Sequence, residues 1–143
     1  MRGQQGVRVR PSRGSLDQSL DELKLAVNYM RTDTAKRIAD LNDFCRTSMG
    51  EPGLVFQTNG IWDLPFWLQS KIRERIQIFN AFSPVNDPRG LHKSGALECY
   101  GTTVLWEVEY CDSNMYQTGT EDASDPTTTR VLVISLASDR RVN

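Results

Sequence analysis

The sequence predicts an α+β domain in which helices pack on one face of a mostly antiparallel sheet of about four strands. Three observations indicate this class. Apolar residues recur at helical spacing in the first half of the chain, and an apolar–polar alternation of period two begins at Val104. A last apolar run, residues 130–137, has the composition of a buried strand. The predicted element order is α-α-β-α-β-β-β.

Length and composition exclude several classes of protein. The chain has 143 residues and a net charge of −1, which fits one domain with polar ends and gives no electrostatic reason for binding nucleic acid or membranes. Its single histidine and three cysteines without CxxC spacing do not form a zinc pattern. We therefore expect no metal, no cofactor, no membrane segment, and free thiols in a reducing cytoplasm.

The N-terminus is expected to be a disordered basic tail followed by an amphipathic helical extension. Residues 1–14 hold four arginines and no acidic residue, which predicts a solvated tail, with a nucleic-acid-binding arm as the alternative. Ser15 and Gln18 have the spacing of a capping box and predict a helix start. The extension, residues 15–33, carries one apolar stripe formed by Leu16, Leu20, Leu23, Val27 and Met30.

This stripe must be buried against another surface. It could pack on the domain, pair with its copy in a homodimer through residues 16–30, or contact a partner. The phase of the stripe breaks at residues 31–34, and a second helix is predicted over 34–47. That helix opens the α+β domain, which we expect to cover residues 34–139. A β-rich run at 54–58 then predicts a short strand.

A third helix is predicted after Asp63, whose side chain suits the N-cap position. Its surface is basic, and Arg73 and Arg75 are candidate nucleic-acid contacts, although a solvated face interrupted by Glu74 is the simpler interpretation. Three aromatic residues at the start of this helix are expected in the core, with an exposed binding platform as the alternative. They are Trp62, Phe66 and Trp67.

Residues 92–112 predict a β-hairpin that turns near Gly101, because glycine takes positive φ without a steric clash. Alternation along the two strands then assigns the core face of the hairpin. That face holds Leu97, Cys99, Val104, Trp106 and Val108. The final strand, residues 130–137, is apolar on both faces and is therefore predicted to be a central strand.

The other face of the hairpin is the candidate functional face. Alternation places His92 on it with Glu107 and Glu109, near Asp87 and Asp112. A histidine beside a carboxylate can act as a general base or bind a metal. The simpler interpretation is that His92 caps a turn or pairs with a surface carboxylate, and no catalytic residue can be assigned.

Several segments of the sequence resemble one known family. They are Asn-Asp-Pro-Arg-Gly-Leu-His at 86–92 followed by Gly95, residues 101–112, residues 125–138, and the helix end at 41–46. Together they resemble the bacterial family called domain of unknown function 3768 over residues 34–139. The chain departs from the family pattern around its histidine, at Arg89, Leu91 and Lys93. Family members are similar to small alphaproteobacterial proteins of plasmids and other mobile elements, so the resemblance implies an anti-defence or antirestriction role.

Three functional hypotheses follow. The leading one is a small, cytoplasmic, non-enzymatic protein that binds a protein or nucleoprotein partner through the face around His92. The second is a hydrolase or nuclease that uses His92 with Glu109, which carboxylates close to His92 in a concave pocket would favour. The third is a DNA-binding accessory protein that uses the arginine tail with Arg73 and Arg75.

Overall fold

The fold is taken from a computed structural model that describes residues 12–50, 54–111 and 121–141. The predicted α+β class is confirmed. The helices and strands follow one another as predicted, except that the first two helices are one and a short helix precedes the third. The elements are α1 (Ser12–Thr47), β1 (Leu54–Gln57), α2 (Asn59–Trp62), α3 (Phe66–Gln77), β2 (Ser94–Cys99), β3 (Thr102–Cys111), β4 (Thr129–Leu136) and a 3₁₀ helix (Ala137–Arg141). Within these ranges, no helix combines the length and the apolar character needed to cross a membrane.

The two helices predicted at the N-terminus are one continuous helix, α1, of 36 residues. The predicted break at 31–34 is wrong, because a change in the phase of an apolar stripe does not interrupt the hydrogen bonds of the helix backbone. The chain does divide there into two compact units, Met1–Thr34 and Ala35–Asn143. The predicted tail lies outside the described residues up to position 11, and its last three residues are helical.

In the first unit, the described side chains of residues 18–24 are all exposed. Leu20 and Leu23, two members of the predicted apolar stripe, are among them. Pairing of residues 16–30 in a homodimer stays a prediction.

The start of the third predicted helix also differs from expectation. Asp63 is not an N-cap but the C-cap of α2, and its N–H donates to the carbonyl groups of Asn59 and Ile61. Pro65 occupies the N-cap of α3 with φ of −57°. Proline lacks an N–H and has a fixed φ, so it cannot continue the one-turn helix α2 and suits the start of α3.

The four strands form one sheet in the order β1-β4-β3-β2. Among the described strands, the pair β1–β4 is parallel and the other pairs are antiparallel, and β4 lies in the interior of the sheet as predicted. The β2–β3 hairpin pairs Ser94 with Glu107 and Cys99 with Thr102. Its two turn residues, Tyr100 and Gly101, have φ of 50° and 80°, which is the pattern of a type I′ turn.

The core lies between one face of this sheet and the helices of the second unit. The predicted core face of the hairpin is confirmed, since Cys99, Val104, Trp106 and Val108 are buried there and Leu97 packs against them. The remaining members come mainly from α3 and β4, namely Leu68, Ile72, Ile76, Leu132 and Ile134. The helices thus cover one face of the sheet.

A carboxylate joins the segments at the carboxyl ends of the parallel strands β1 and β4. Asp139 accepts hydrogen bonds from Thr58 Oγ1 at 2.6 Å and from the Leu136 N–H at 2.9 Å. These two bonds, with that of Thr58 the stronger, hold the pKa of Asp139 below its ordinary value of 3.8. The 3₁₀ helix is thereby attached to the start of α2.

Candidate functional site

The His92 ring is held by contacts with two carboxylates and one aromatic ring. Nδ1 lies 3.0 Å from Asp43 Oδ1 on α1, and Nε2 lies 3.8 Å from Asp87 Oδ2. The imidazole also stacks on Phe82, with ring centroids 3.9 Å apart and planes inclined by 5°. His92 therefore joins α1 to the loop that leads into β2.

His92 does not share a face with Glu107 and Glu109, and that prediction is wrong. Its φ is 54°, and it precedes the first residue of β2, so the alternation of the strand does not extend to it. Phe82, on which it stacks, packs against Trp106 on the helix-covered side of the sheet. Glu107 instead pairs with Lys93, with Nζ 2.8 Å from Oε2.

Asp87 lies near His92 as predicted, and most of its hydrogen bonds are to the backbone of the same turn. Its carboxylate accepts hydrogen bonds from the backbone N–H groups of Leu91 and His92, which fixes the turn before β2. Asp112, the last member of the predicted face, lies outside the described residues.

Asp43 also binds a buried arginine that the sequence did not single out. Arg46 is only 4% exposed and donates to Asp43 Oδ1 through Nη2 at 2.8 Å. Its Nη1 donates to two carbonyl groups at the end of α3, those of Ile76 and Gln77. The guanidinium lies 5.4 Å from the Trp106 ring centroid. Arg46 thus joins the end of α3 to α1, and it shares the Asp43 carboxylate with His92.

Asn42, which precedes Asp43 on α1, connects three distant segments. Its Nδ2 donates to the Leu91 carbonyl at 3.0 Å and to the Tyr110 hydroxyl at 2.9 Å, and its Oδ1 accepts from Arg130 Nε at 2.9 Å. Burial lowers the pKa of the Arg130 guanidinium, against the opposing influence of Tyr110. The guanidinium carbon lies over the Tyr110 ring, 5.0 Å from its centroid. The sequence contained no signal for this network, since its members lie up to 88 positions apart.

The surface at His92 is an open depression of about 390 Å³. The exposed part of the ring, 30% of the side chain, is reached from this depression. In the ranges that the structure describes, no group of three or more histidine, cysteine, aspartate or glutamate side chains could hold a metal ion. The arrangement can orient an imidazole, but its contacts are also those of a structural residue, as the simpler interpretation held.

A second surface is built from exposed aromatic side chains. Trp62, Phe66 and Trp67 were expected in the core but are exposed to 59%, 73% and 56%, so that expectation is wrong. Tyr100, in the hairpin turn, is exposed to 62%. Trp67 and Tyr100 meet edge to face, with ring centroids 5.4 Å apart and planes inclined by 82°. The start of α3 and the tip of the hairpin therefore form one patch.

The two arginines predicted as nucleic-acid contacts lie beside these rings. The Arg73 guanidinium is 6.0 Å from the centroid of Phe66, and that of Arg75 is 5.8 Å from the centroid of Tyr100. We call Phe66, Trp67, Tyr100 and these two arginines the aromatic surface. Arg73 bonds Gln57 of β1 and Arg75 bonds Glu98 of β2, so the two arginines reach strands at opposite edges of the sheet. The sequence signal for Tyr100 was its place before Gly101 in the turn, where asparagine or aspartate is usual.

The matched family agrees with the resemblance. Residues 57–139, more than half of the chain, match the family described as protein of unknown function (DUF3768). The chain belongs to this family. The DUF3768 match includes the whole aromatic surface, His92 and Arg130, whereas Asn42, Asp43 and Arg46 on α1 precede it. No curated protein and no solved structure matches the chain.

Proposed function

We propose that this protein is a small, non-enzymatic binding protein of the cytoplasm whose partner contacts the aromatic surface. The observation that carries the proposal is the exposure of Phe66, Trp67 and Tyr100, with the rings of Trp67 and Tyr100 in direct contact. Large apolar side chains gathered on a surface usually mark an interaction site. Tryptophan, tyrosine and arginine are also the residues that contribute most to binding energy at interfaces.

The fold supports this position of the binding surface. Trp67 sits on α3, whose opposite side is anchored in the core by Leu68, Ile72 and Ile76. Tyr100 sits on a two-residue turn between paired strands. A surface built on regular elements is ordered before the partner arrives, which lowers the entropy cost of binding.

Two further features support the wider role. All three cysteines are buried as free thiols, which suits a reducing cytoplasm. The family resemblance adds an anti-defence role on mobile elements to the proposal. A plasmid-transfer assay into a restricting host, with and without the protein, tests that role directly.

The binding proposal is tested with the double variant Trp67→Ala/Tyr100→Ala. Wild-type protein and variant are used as bait in a bacterial lysate, and species that are recovered only by the wild type identify the partner. Phe44→Ala is the matched control, because Phe44 is an exposed aromatic residue on α1, 58% exposed, outside the aromatic surface. Equal recovery by the wild type and the double variant would exclude this surface as the binding site.

A hydrolase or nuclease is the second candidate function, and one observation favours it. Asp43 holds His92 Nδ1, as an orienting carboxylate does for a catalytic histidine, and the ring is partly exposed in a depression. In this arrangement Asp43 takes the place that the sequence had given to Glu109. Activity on ester, phosphoester and nucleic-acid substrates should then be lost in His92→Gln and reduced in Asp43→Asn. Absence of activity in the folded wild-type protein would argue against this function.

A further inference from the structure

We infer that the aromatic surface binds single-stranded nucleic acid, with bases stacked on Trp67 and Tyr100 and phosphates paired with Arg73 and Arg75. This inference rests on the proposed function, because it assigns the chemical class of the partner at the same surface. It differs from the hypothesis of duplex binding through an arginine tail, since the bases themselves are contacted.

The rings are available for stacking. Every base has an apolar face that stacks on aromatic side chains, and proteins that bind single strands without sequence preference use such rings as platforms. Trp67 and Tyr100 are each more than half exposed, and their edge-to-face contact leaves ring faces at an angle of 82° to each other. Successive bases of a flexible strand can turn to meet two differently inclined rings, whereas the stacked bases of a duplex cannot.

Tyr100 is held at this place against its backbone preference. Its φ of 50° is unfavourable for a bulky residue, and asparagine would fit the first position of this turn better. The ring contacts the Trp67 ring, with centroids 5.4 Å apart, and the Arg75 guanidinium, 5.8 Å from its centroid. A strained aromatic residue at an exposed hairpin tip points to a role at the surface.

The charges complement a phosphate backbone. The Arg73 side chain donates to the Gln57 amide oxygen at 2.9 Å, and the Arg75 side chain donates to the Glu98 carbonyl at 3.0 Å. Both acceptors are neutral, so these bonds orient the guanidiniums without cancelling their charge. The acidic residue between the two arginines, Glu74, lies 3.5 Å from the ammonium of Lys71. Arginine beside an aromatic ring also extends the stacking platform for a base.

The test measures binding of fluorescent oligonucleotides of about ten nucleotides, thymidine or uridine, by anisotropy at low ionic strength. Trp67→Ala should weaken binding by at least about fivefold, because the loss of one stacked base has that effect. Arg73→Gln/Arg75→Gln should reduce the slope of log affinity against log salt by about 1.4, the value for two phosphate contacts to a single strand. Phe44→Ala and Lys36→Gln, which alter exposed residues of α1, should leave binding unchanged.

Tyr100→Asn separates folding from binding. Asparagine before glycine is preferred in this turn, so the variant should unfold at the same or a higher urea concentration than the wild type. It should nevertheless bind the oligonucleotide at least about fivefold more weakly, because the ring is gone. Unchanged affinity in this stable variant would overturn the inference.

The outcomes also separate the inference from the proposed function. If the wild type binds no oligonucleotide but the Trp67→Ala/Tyr100→Ala variant loses a nuclease-resistant protein partner from lysate, the inference is wrong and the binding proposal stands. If the wild type binds duplex and single strand equally and the aromatic variants have no effect, the inference is also wrong. If the variants lose neither oligonucleotide nor protein, both fail.

Discussion

Replacing Asn42 with alanine should lower the free energy of unfolding by about 3–5 kcal/mol. The side chain is fully buried, and its amide makes three bonds, one each from α1 to the approach to β2, to β3 and to β4. The substitution removes the amide and leaves a carbonyl oxygen, the Tyr110 hydroxyl and Arg130 Nε without that partner.

The size of the effect follows from the kinds of bond. A hydrogen bond between neutral groups contributes about 0.5–1.5 kcal/mol, and a bond to a charged group about 1.5–3 kcal/mol. The bonds to Leu91 and Tyr110 are of the first kind, and the bond from Arg130 is of the second. Burial already disfavours the charged guanidinium of Arg130, so the loss of an acceptor falls on a group that water does not easily reach.

Urea unfolding followed by tryptophan fluorescence, in which the buried Trp106 reports the loss of the core, measures this loss. With a typical dependence of about 2 kcal/mol per molar urea, the midpoint should fall by about 2 M. Asn42→Asp isolates the bond to Arg130, because it keeps an oxygen there and supplies an opposite charge but cannot donate to the Leu91 carbonyl. It should destabilise less than Asn42→Ala at pH 7. Combined with Tyr110→Phe in a double-mutant cycle, Asn42→Ala should show a coupling energy of about 1 kcal/mol.

A loss below about 1 kcal/mol at an unchanged urea dependence would refute this reasoning, since it would mean that water replaces the amide at no cost. If the effects of Asn42→Ala and Tyr110→Phe on the free energy of unfolding are additive, the hydrogen bond between these two side chains does not contribute to stability.

Three further predictions concern packing, pH and thiol chemistry. Gly95→Ala should lower the free energy of unfolding by about 2 kcal/mol or more in urea, because its Cβ would lie 2.6 Å from Trp106 Nε1. Gly90→Ala, which has open space around it but φ of +68°, should lower it by only about 1–2 kcal/mol. Equal effects of the two substitutions would contradict the close approach of Gly95 to Trp106. The pKa of Asp139 is lowered in the folded protein, so its carboxylate stabilises the fold at pH values above 3.8, its ordinary pKa. This stabilisation is lost as the pH falls through the pKa of the folded state. Asp139→Ala should therefore destabilise the protein at pH 7 and do so less below about pH 4. A difference that does not change with pH would contradict this. Burial raises the pKa of the Cys45 thiol, and all three cysteines are buried, so a thiol reagent should label them only after unfolding; rapid labelling of the native protein would count against this packing.

Period two was a reliable guide to the hairpin, because alternation is a property of the extended backbone itself. The core face with Trp106 and Val108, the turn at Gly101 and the interior position of β4 could all be read from local pattern. The apolar phase of the N-terminal helices was less reliable, since it reports where neighbours lie rather than where the helix ends. The boundary between the two units falls at this phase change, while the helix continues through it.

His92 shows where local reasoning failed at the candidate site. One residue with positive φ ahead of β2 was enough to turn its ring from the outer face to Asp43 and Phe82. Positive φ at a histidine is uncommon and depends on the loop around it, here on the Asp87 carboxylate that accepts two backbone N–H groups. No periodicity extends across such a residue.

By itself, the sequence determined the α+β class, the order of the elements, the hairpin faces and the family, because these follow from local backbone preferences and from motifs. Only the tertiary structure decided that Asn42 and Asp43 meet residues 49 to 88 positions away, and that the aromatic rings at the start of α3 face solvent. Exposure depends on whether another segment covers a side chain, and the same tryptophan or tyrosine suits a core or an interface equally well.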